Sequence, residues 1–149
     1  MNALTLQGAM MKQDSKIERL QPEGLFQRRL GGQTLYSHVV VGRGGRQVYI
    51  SGQLSRDVDG NIVGPKDMIS QIRQVGLNLQ TALKAAGLSL DDLVKTTTFV
   101  TDIDEFFKYP KERAQAFGES LPASTTVEVR RLSHPDFLVE VEAIAERAT

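Results

Sequence analysis

The sequence predicts an α+β domain: one mixed sheet with two helices packed on one face, in the order ββαβαββ. Three observations carry that expectation. The run DMISQIRQVGLNLQTALKAAG sets Met68, Ile69, Ile72, Val75, Leu79, Ala82, Leu83 and Ala86 on a single helical stripe. LVKTTTFVTD is rich in β-branched residues, and STTVEVRRL and DFLVEVEAIAER alternate apolar with polar, which is strand periodicity. Strands and helices interleave, so the helices form a layer on the sheet. A chain of 149 residues is one domain's length, and about 68–70% of the unfolded surface can be buried at this size. We divide it into an N-terminal extension, 1–30, partly flexible, and a domain, 31–149.

The elements follow in order. MNALTLQGAMMKQDSKIERL breaks early into charges, so it is read as a loose tail and not a secretory signal, with Met10–Met11 as an alternative start. QTLYSHVVVGRGGRQVYISGQL reads as two strands in a hairpin, with Gly42, Gly44 and Gly45 supplying the turn. A phosphate-cradling glycine loop would need a helix next, and a strand follows instead. SRDVDGNIVG resembles a calcium loop in its spacing, but Ser55 and Lys66 stand where an Asp and a bidentate Glu belong, so Asp59-Gly60 is a turn. In the first helix Asp67 is the expected N-cap and Gly87 the C-terminal stop. Pro110 divides DIDEFFKYPKERAQAFG into two helical pieces, because proline suits a first turn and not an interior. The last two strands flank SHPD and are expected to form an antiparallel hairpin. Within the final strand Val139, Val141 and Ala143 share one face, and Glu140, Glu142 and Ile144 the other. Solvated glutamates are the plain reading of that mixed face; cover by another subunit is the alternative. A one-residue slip would decide whether Glu128 faces Glu140.

Composition excludes several chemistries. There is no cysteine, which removes disulfides, thiolate catalysis and Cys-type zinc sites, and two histidines cannot build a His-rich metal centre. Lys plus Arg and Asp plus Glu balance at 18 each, so nothing draws in nucleic acid or an anionic membrane. No apolar run approaches the ~20 residues of a bilayer span. A cytoplasmic protein is expected. The stretch LPASTTVEV bunches Ser124, Thr125 and Thr126 at a strand entrance, where hydroxyls can line a pocket or suit an edge.

YISGQL, TALKAAGLSLDDLVKTTTFVTDIDEF, LPASTTVEVRRL and VEVEAIA, in this order and spacing, resemble the RidA/YjgF family of reactive-intermediate deaminases from about Tyr36 to Ala145. The resemblance implies a chorismate-mutase-like fold and a homotrimer whose sheets line a central barrel, with clefts between subunits. It implies hydrolysis of small enamines and imines such as 2-aminoacrylate to a 2-oxo acid and ammonia, without metal or organic cofactor. It assigns cleft closure to Tyr36, backbone binding to Ser51 and Gly52, and ordering of water to Glu140. Ser124 stands where active relatives carry a carboxylate-binding arginine, and Thr126 where cysteine is common.

A charge-assisted pair is worth about 1.5–3 kcal/mol and a serine hydroxyl about 1 kcal/mol. Weak activity on 2-aminoacrylate is therefore expected, with a gain on Ser124→Arg. Arg130 and Arg131 begin about 20 Å down the strand, too far to substitute; a neighbouring subunit's arginine, Arg43 or Arg46 remains open. The alternatives are a non-catalytic trimer holding a small metabolite in the same clefts, and, ranked last, a ribonuclease.

Overall fold

The computed structural model describes residues 17–20, 29–34, 39–41 and 44–147. In chain order the elements are β1 (Glu18–Leu20), β2 (Arg29–Leu30), β3 (Gln33–Thr34), β4 (Val39–Val41), β5 (Arg46–Leu54), α1 (Met68–Ala85), a 3-10 turn at Leu90–Asp92, β6 (Leu93–Val100), α2 (Ile103–Phe107), α3 (Pro110–Phe117), β7 (Ala123–Glu128) and β8 (Val139–Arg147). The main sheet has four strands in the order β5-β8-β6-β7. Only the β6–β7 pair is parallel, so the sheet is mixed as expected.

Local signals are met where the sequence placed them. Asp67 caps α1 by accepting from the Ser70 N–H. At the other end Gly87 takes φ 74°. The Leu88 N–H reaches the Leu83 carbonyl and the Gly87 N–H reaches that of Lys84, each at 2.9 Å, the paired closure of a helix ending in a left-handed residue. Pro110 opens α3 at its first turn. Asp57 ties the 57–61 turn together by accepting from the Asp59 and Asn61 N–H groups. The α1 stripe packs with Val100, Phe106, Ala116, Val139 and Val141 into one buried cluster and with Ile50, Leu93, Ala143 and Ala145 into a second. Gln71 is as buried as that stripe. Its amide donates to the Gly64 and Asp136 carbonyls at 2.9 and 2.6 Å and accepts from the Leu138 N–H at 2.8 Å. It clamps two loops that would otherwise bury unmet backbone groups.

Two expectations are corrected. The last two strands are not a hairpin. β7 runs parallel to β6, and β8 lies between β5 and β6. β8 is buried at Val139, Val141, Ala143 and Ala145, and a strand this apolar on one face is stabilised by central placement, flanked on both edges. The SHPD turn therefore carries the chain across β6 rather than back along β7. The glycine turn after β4 does not fold it onto β5 either. Val39–Val41 pairs antiparallel with Glu18–Leu20, from the segment read as extension. That pairing meets the hydrogen-bonding row of β4, while Gly44 and Gly45, at φ 72° and 139°, lead the chain on into β5. The Arg19 guanidinium fastens the same segment to the body by donating to the Asp91 and Leu93 carbonyls at 2.7 and 3.2 Å.

Candidate active site

A β-bulge builds the first half of the site. Ile50 pairs with Ala143, and the next pair is Gln53 with Val141. Ser51 and Gly52 therefore stand together opposite Glu142. Such a bulge interrupts the ladder and re-aims the strand locally. Gly52 is needed there for a second reason. A Cβ on it would lie 1.9 Å from Oε1 and 2.8 Å from Cδ of Glu140. The Glu140 carboxyl rests over the bare glycine, in space that any other residue would fill. Ser51, Gly52 and Glu140 are thus brought together.

Glu140 is half-buried. Burial pushes its carboxyl above the usual carboxylate range, and the nearby Glu142 carboxylate pushes in the same direction. Alongside, a cavity of about 290 Å³ opens on the sheet between Tyr49, Ser51, Lys95, Thr97 and Glu142. The Lys95 ammonium donates to the Thr125 hydroxyl at 2.9 Å across its edge. Glu128 takes no part. β6 separates its strand from β8, and its carboxylate accepts from the Ile103 N–H at 3.0 Å. The register left open by the sequence is resolved against a Glu128–Glu140 pair.

The second half lies on the other face of the sheet. In the parallel ladder Ser124 pairs with Thr96 and Thr126 with Thr98, and both threonines are buried beneath the helices. Ser124 and Thr126 share that face, and Thr125 points the opposite way. One chain therefore does not unite Ser124 and Thr126 with Ser51, Gly52 and Glu140. Ser124 instead lines a small cavity with Thr96, Thr98 and Arg113 of α3. The Arg113 guanidinium stacks on two rings, its carbon 4.4 Å from the centre of Phe106 and 4.7 Å from that of Phe107. Among the other arginines considered from sequence, Arg46 lies opposite Arg147 at the far end of β5. Arg130 and Arg131 follow β7 and are exposed. Tyr36 and Arg43 lie outside the described residues. Arg113 was missed. Phe106 and Phe107 stand two helical turns before it in the sequence, a spacing that shares a face only in an unbroken helix, and Pro110 hides the relation.

Among the described residues no three His, Asp or Glu side chains gather as a metal site, and no helix is long and apolar enough to cross a membrane.

A mixed four-stranded sheet, helix-covered on one face and bulged at Ser51-Gly52 beside its central strand, is the YjgF-like fold. The endoribonuclease L-PSP family model matches residues 26–147. A RutC family protein of Pyrococcus horikoshii is 40% identical over 110 residues, spanning 74% of this chain and 85% of that protein. A 2-iminobutanoate/2-iminopropanoate deaminase of Salmonella typhimurium is 39% identical over 106 residues, 69% of this chain and 81% of its own. A solved Rid-family structure from Yersinia pestis, of unknown function, superposes with a TM-score of 0.77 at 28% identity, covering 88% of this chain and 98% of that one. The chain belongs to the endoribonuclease L-PSP family, known also as YjgF/RidA.

Proposed function

We propose that the protein is a deaminase that hydrolyses a small imine or enamine, with Glu140 as its catalytic residue, in clefts between the subunits of a homotrimer. The observation that carries this is the meeting of Glu140 with the Ser51-Gly52 bulge. A carboxyl whose proton affinity is raised by burial sits where interrupted backbone can hold a polar ligand. Relatives bearing a deaminase name support the reaction class.

The reaction needs no redox step. Water adds to the carbon of the protonated imine while Glu140 takes one of its protons, which gives a neutral carbinolamine. Glu140 returns that proton to nitrogen; the C–N bond then breaks as the carbinolamine hydroxyl gives its proton to Glu140, leaving a carbonyl and ammonia, and Glu140 releases that proton to solvent. Ser51 and Gly52 bind on the Glu140 side. Ser124 and Thr126, with Tyr36 closing the cleft, bind on the other. Because these halves face opposite ways in one chain, the cleft needs β7 of one copy against β5 and β8 of the next, as closed cyclic symmetry supplies.

Ribonuclease chemistry is less well served. The open face presents Glu140 and Glu142 with Lys95, an arrangement that repels phosphate.

The test is imine generated in situ from amino acids by an oxidase, with semicarbazide capturing whatever escapes hydrolysis. Wild type is expected to suppress semicarbazone formation, and Glu140→Gln to lose that suppression by about 10²–10⁴-fold while still binding ligand. Binding without turnover in wild type would instead show a metabolite-holding trimer, which the serine at 124 favours.

A further inference from the structure

We propose that the open face of the sheet carries a second binding site, for a small zwitterionic amino acid held between Lys95 and Glu142. The site goes beyond the deaminase reading and does not depend on it. Strand register sets its groups in two rows. Tyr49, Ile144 and Lys95 lie side by side on β5, β8 and β6. One step along, Glu142, Thr97 and Thr125 lie side by side on β8, β6 and β7. Side chains opposite each other in a ladder share a face, so a cation, a carboxylate and hydroxyls meet around the apolar Ile144. With Ser51 they border the cavity of about 290 Å³, and Glu140, two residues back along β8, does not line it. Pockets for drug-sized ligands begin at about 300 Å³, so this space suits a metabolite of a few carbons.

Both charges are available to a ligand. The Lys95 ammonium leans toward β7 and gives one of its three donors to the Thr125 hydroxyl at 2.9 Å. Across Thr97, the Glu142 carboxylate has no hydrogen-bond or ion-pair partner among the described residues. A direct Lys95–Glu142 pair is the competing arrangement; Lys95 turns to Thr125 instead, and an exposed pair of that kind is weak.

The spacing selects the ligand. Neighbouring strands lie ~4.8 Å apart, so two spacings put about 9–10 Å between the Thr125 and Glu142 positions. Two charge-assisted hydrogen bonds of ~2.8 Å leave roughly 4 Å of that, the reach from ammonium to carboxylate within one amino acid. A lone anion here would be repelled by Glu142, and a lone cation by Lys95. A molecule with its carboxylate toward Lys95 and its ammonium toward Glu142 meets each charge with its opposite. The exposed Tyr49 ring, whose hydroxyl donates to Gln47 at 2.8 Å, stands beside Ile144 as an apolar wall for a short aliphatic side chain.

The experiment is NMR titration of L-2-aminobutanoate into the full chain at neutral pH, beside butanoate and propylamine, which lack its ammonium and its carboxylate respectively. The amino acid should saturate at millimolar concentration and move the amide signals of Thr97 and Ile144. Each single-charge probe should bind at least about 5-fold more weakly. Lys95→Met and Glu142→Gln should each weaken binding by about 5- to 10-fold, between the effect of an exposed ion pair and that of a sheltered charged hydrogen bond. Glu140→Gln should bind within twofold of wild type, which separates this site from the catalytic one. No saturation by wild type at tens of millimolar would overturn the assignment, as would equal binding of butanoate or propylamine. Unchanged affinity in folded Lys95→Met and Glu142→Gln would do the same, and loss of binding in Glu140→Gln would move the ligand to the catalytic cleft. No arm reads imine turnover, so the deaminase reading stands or falls separately.

Discussion

Ionising Glu140 in the folded chain is opposed by burial and by Glu142, and neither acts in the unfolded chain. Its folded-state pKa therefore lies above its unfolded one. The stability this confers is complete below the unfolded value and is lost as pH rises through the folded value. Glu140→Gln removes the charge, so it should melt above wild type at pH 7, with the gap closing toward pH 4. A melting series across that range checks it. A variant that melts below wild type at pH 7 would mean that the carboxylate is stabilised in place. A more stable but inactive variant is the mark of a strained functional group. At this scale half of the candidate site is legible in the sequence. Ser51, Gly52 and Glu140 lie in motifs, and the structure brings them together. The bulge that joins them was not legible, because Ser51 and Gly52 fit a regular strand equally well. Arg113 was not legible because its partners are reached across a proline break.

Among the elements, helices were easier to read than strand partners. The α1 stripe and both its caps are local facts, each written within about four residues. Which strand lies beside β8 is decided by contacts more than 40 residues apart, such as Val141 with Thr98 and with Gln53, and alternation alone cannot choose among them. The alternation of β8 placed Glu140 on the correct face but said nothing about the neighbour. Gly76 makes a further point about elements. It sits in the middle of α1, where alanine would be favoured by about 1 kcal/mol. Yet a Cβ there would fall 2.6 Å from the Ala116 Cβ and 2.7 Å from its Cα and carbonyl oxygen. Backbone cannot yield as a side-chain tip can, and overpacking costs about 1–3 kcal/mol. Gly76→Ala should therefore destabilise the fold by up to roughly 2 kcal/mol in urea unfolding, net of these two effects. A stabilised variant would show that α1 and α3 can part at little cost.

For the whole molecule, the decisive fact is that the two halves of the candidate site face away from each other. Tyr49 is 71% and Val127 37% exposed in a single chain, both on strands of the main sheet, and the open face that carries Glu142 also presents Tyr49, Ser51, Lys95 and Thr97. The trimer proposed above would bring β7 with Ser124 and Thr126 of one copy to β5 and β8 of the next. The most direct test mixes two inactive variants. Ser124→Trp, which blocks the β7 side of the cleft, and Glu140→Gln, unfolded together and refolded at equal amounts, should regain about a quarter of wild-type imine hydrolysis, because random cyclic assembly pairs an intact β7 wall with a neighbour's intact Glu140 in that share of clefts. Activity no greater than the sum of the separate variants would contradict a cleft shared between chains.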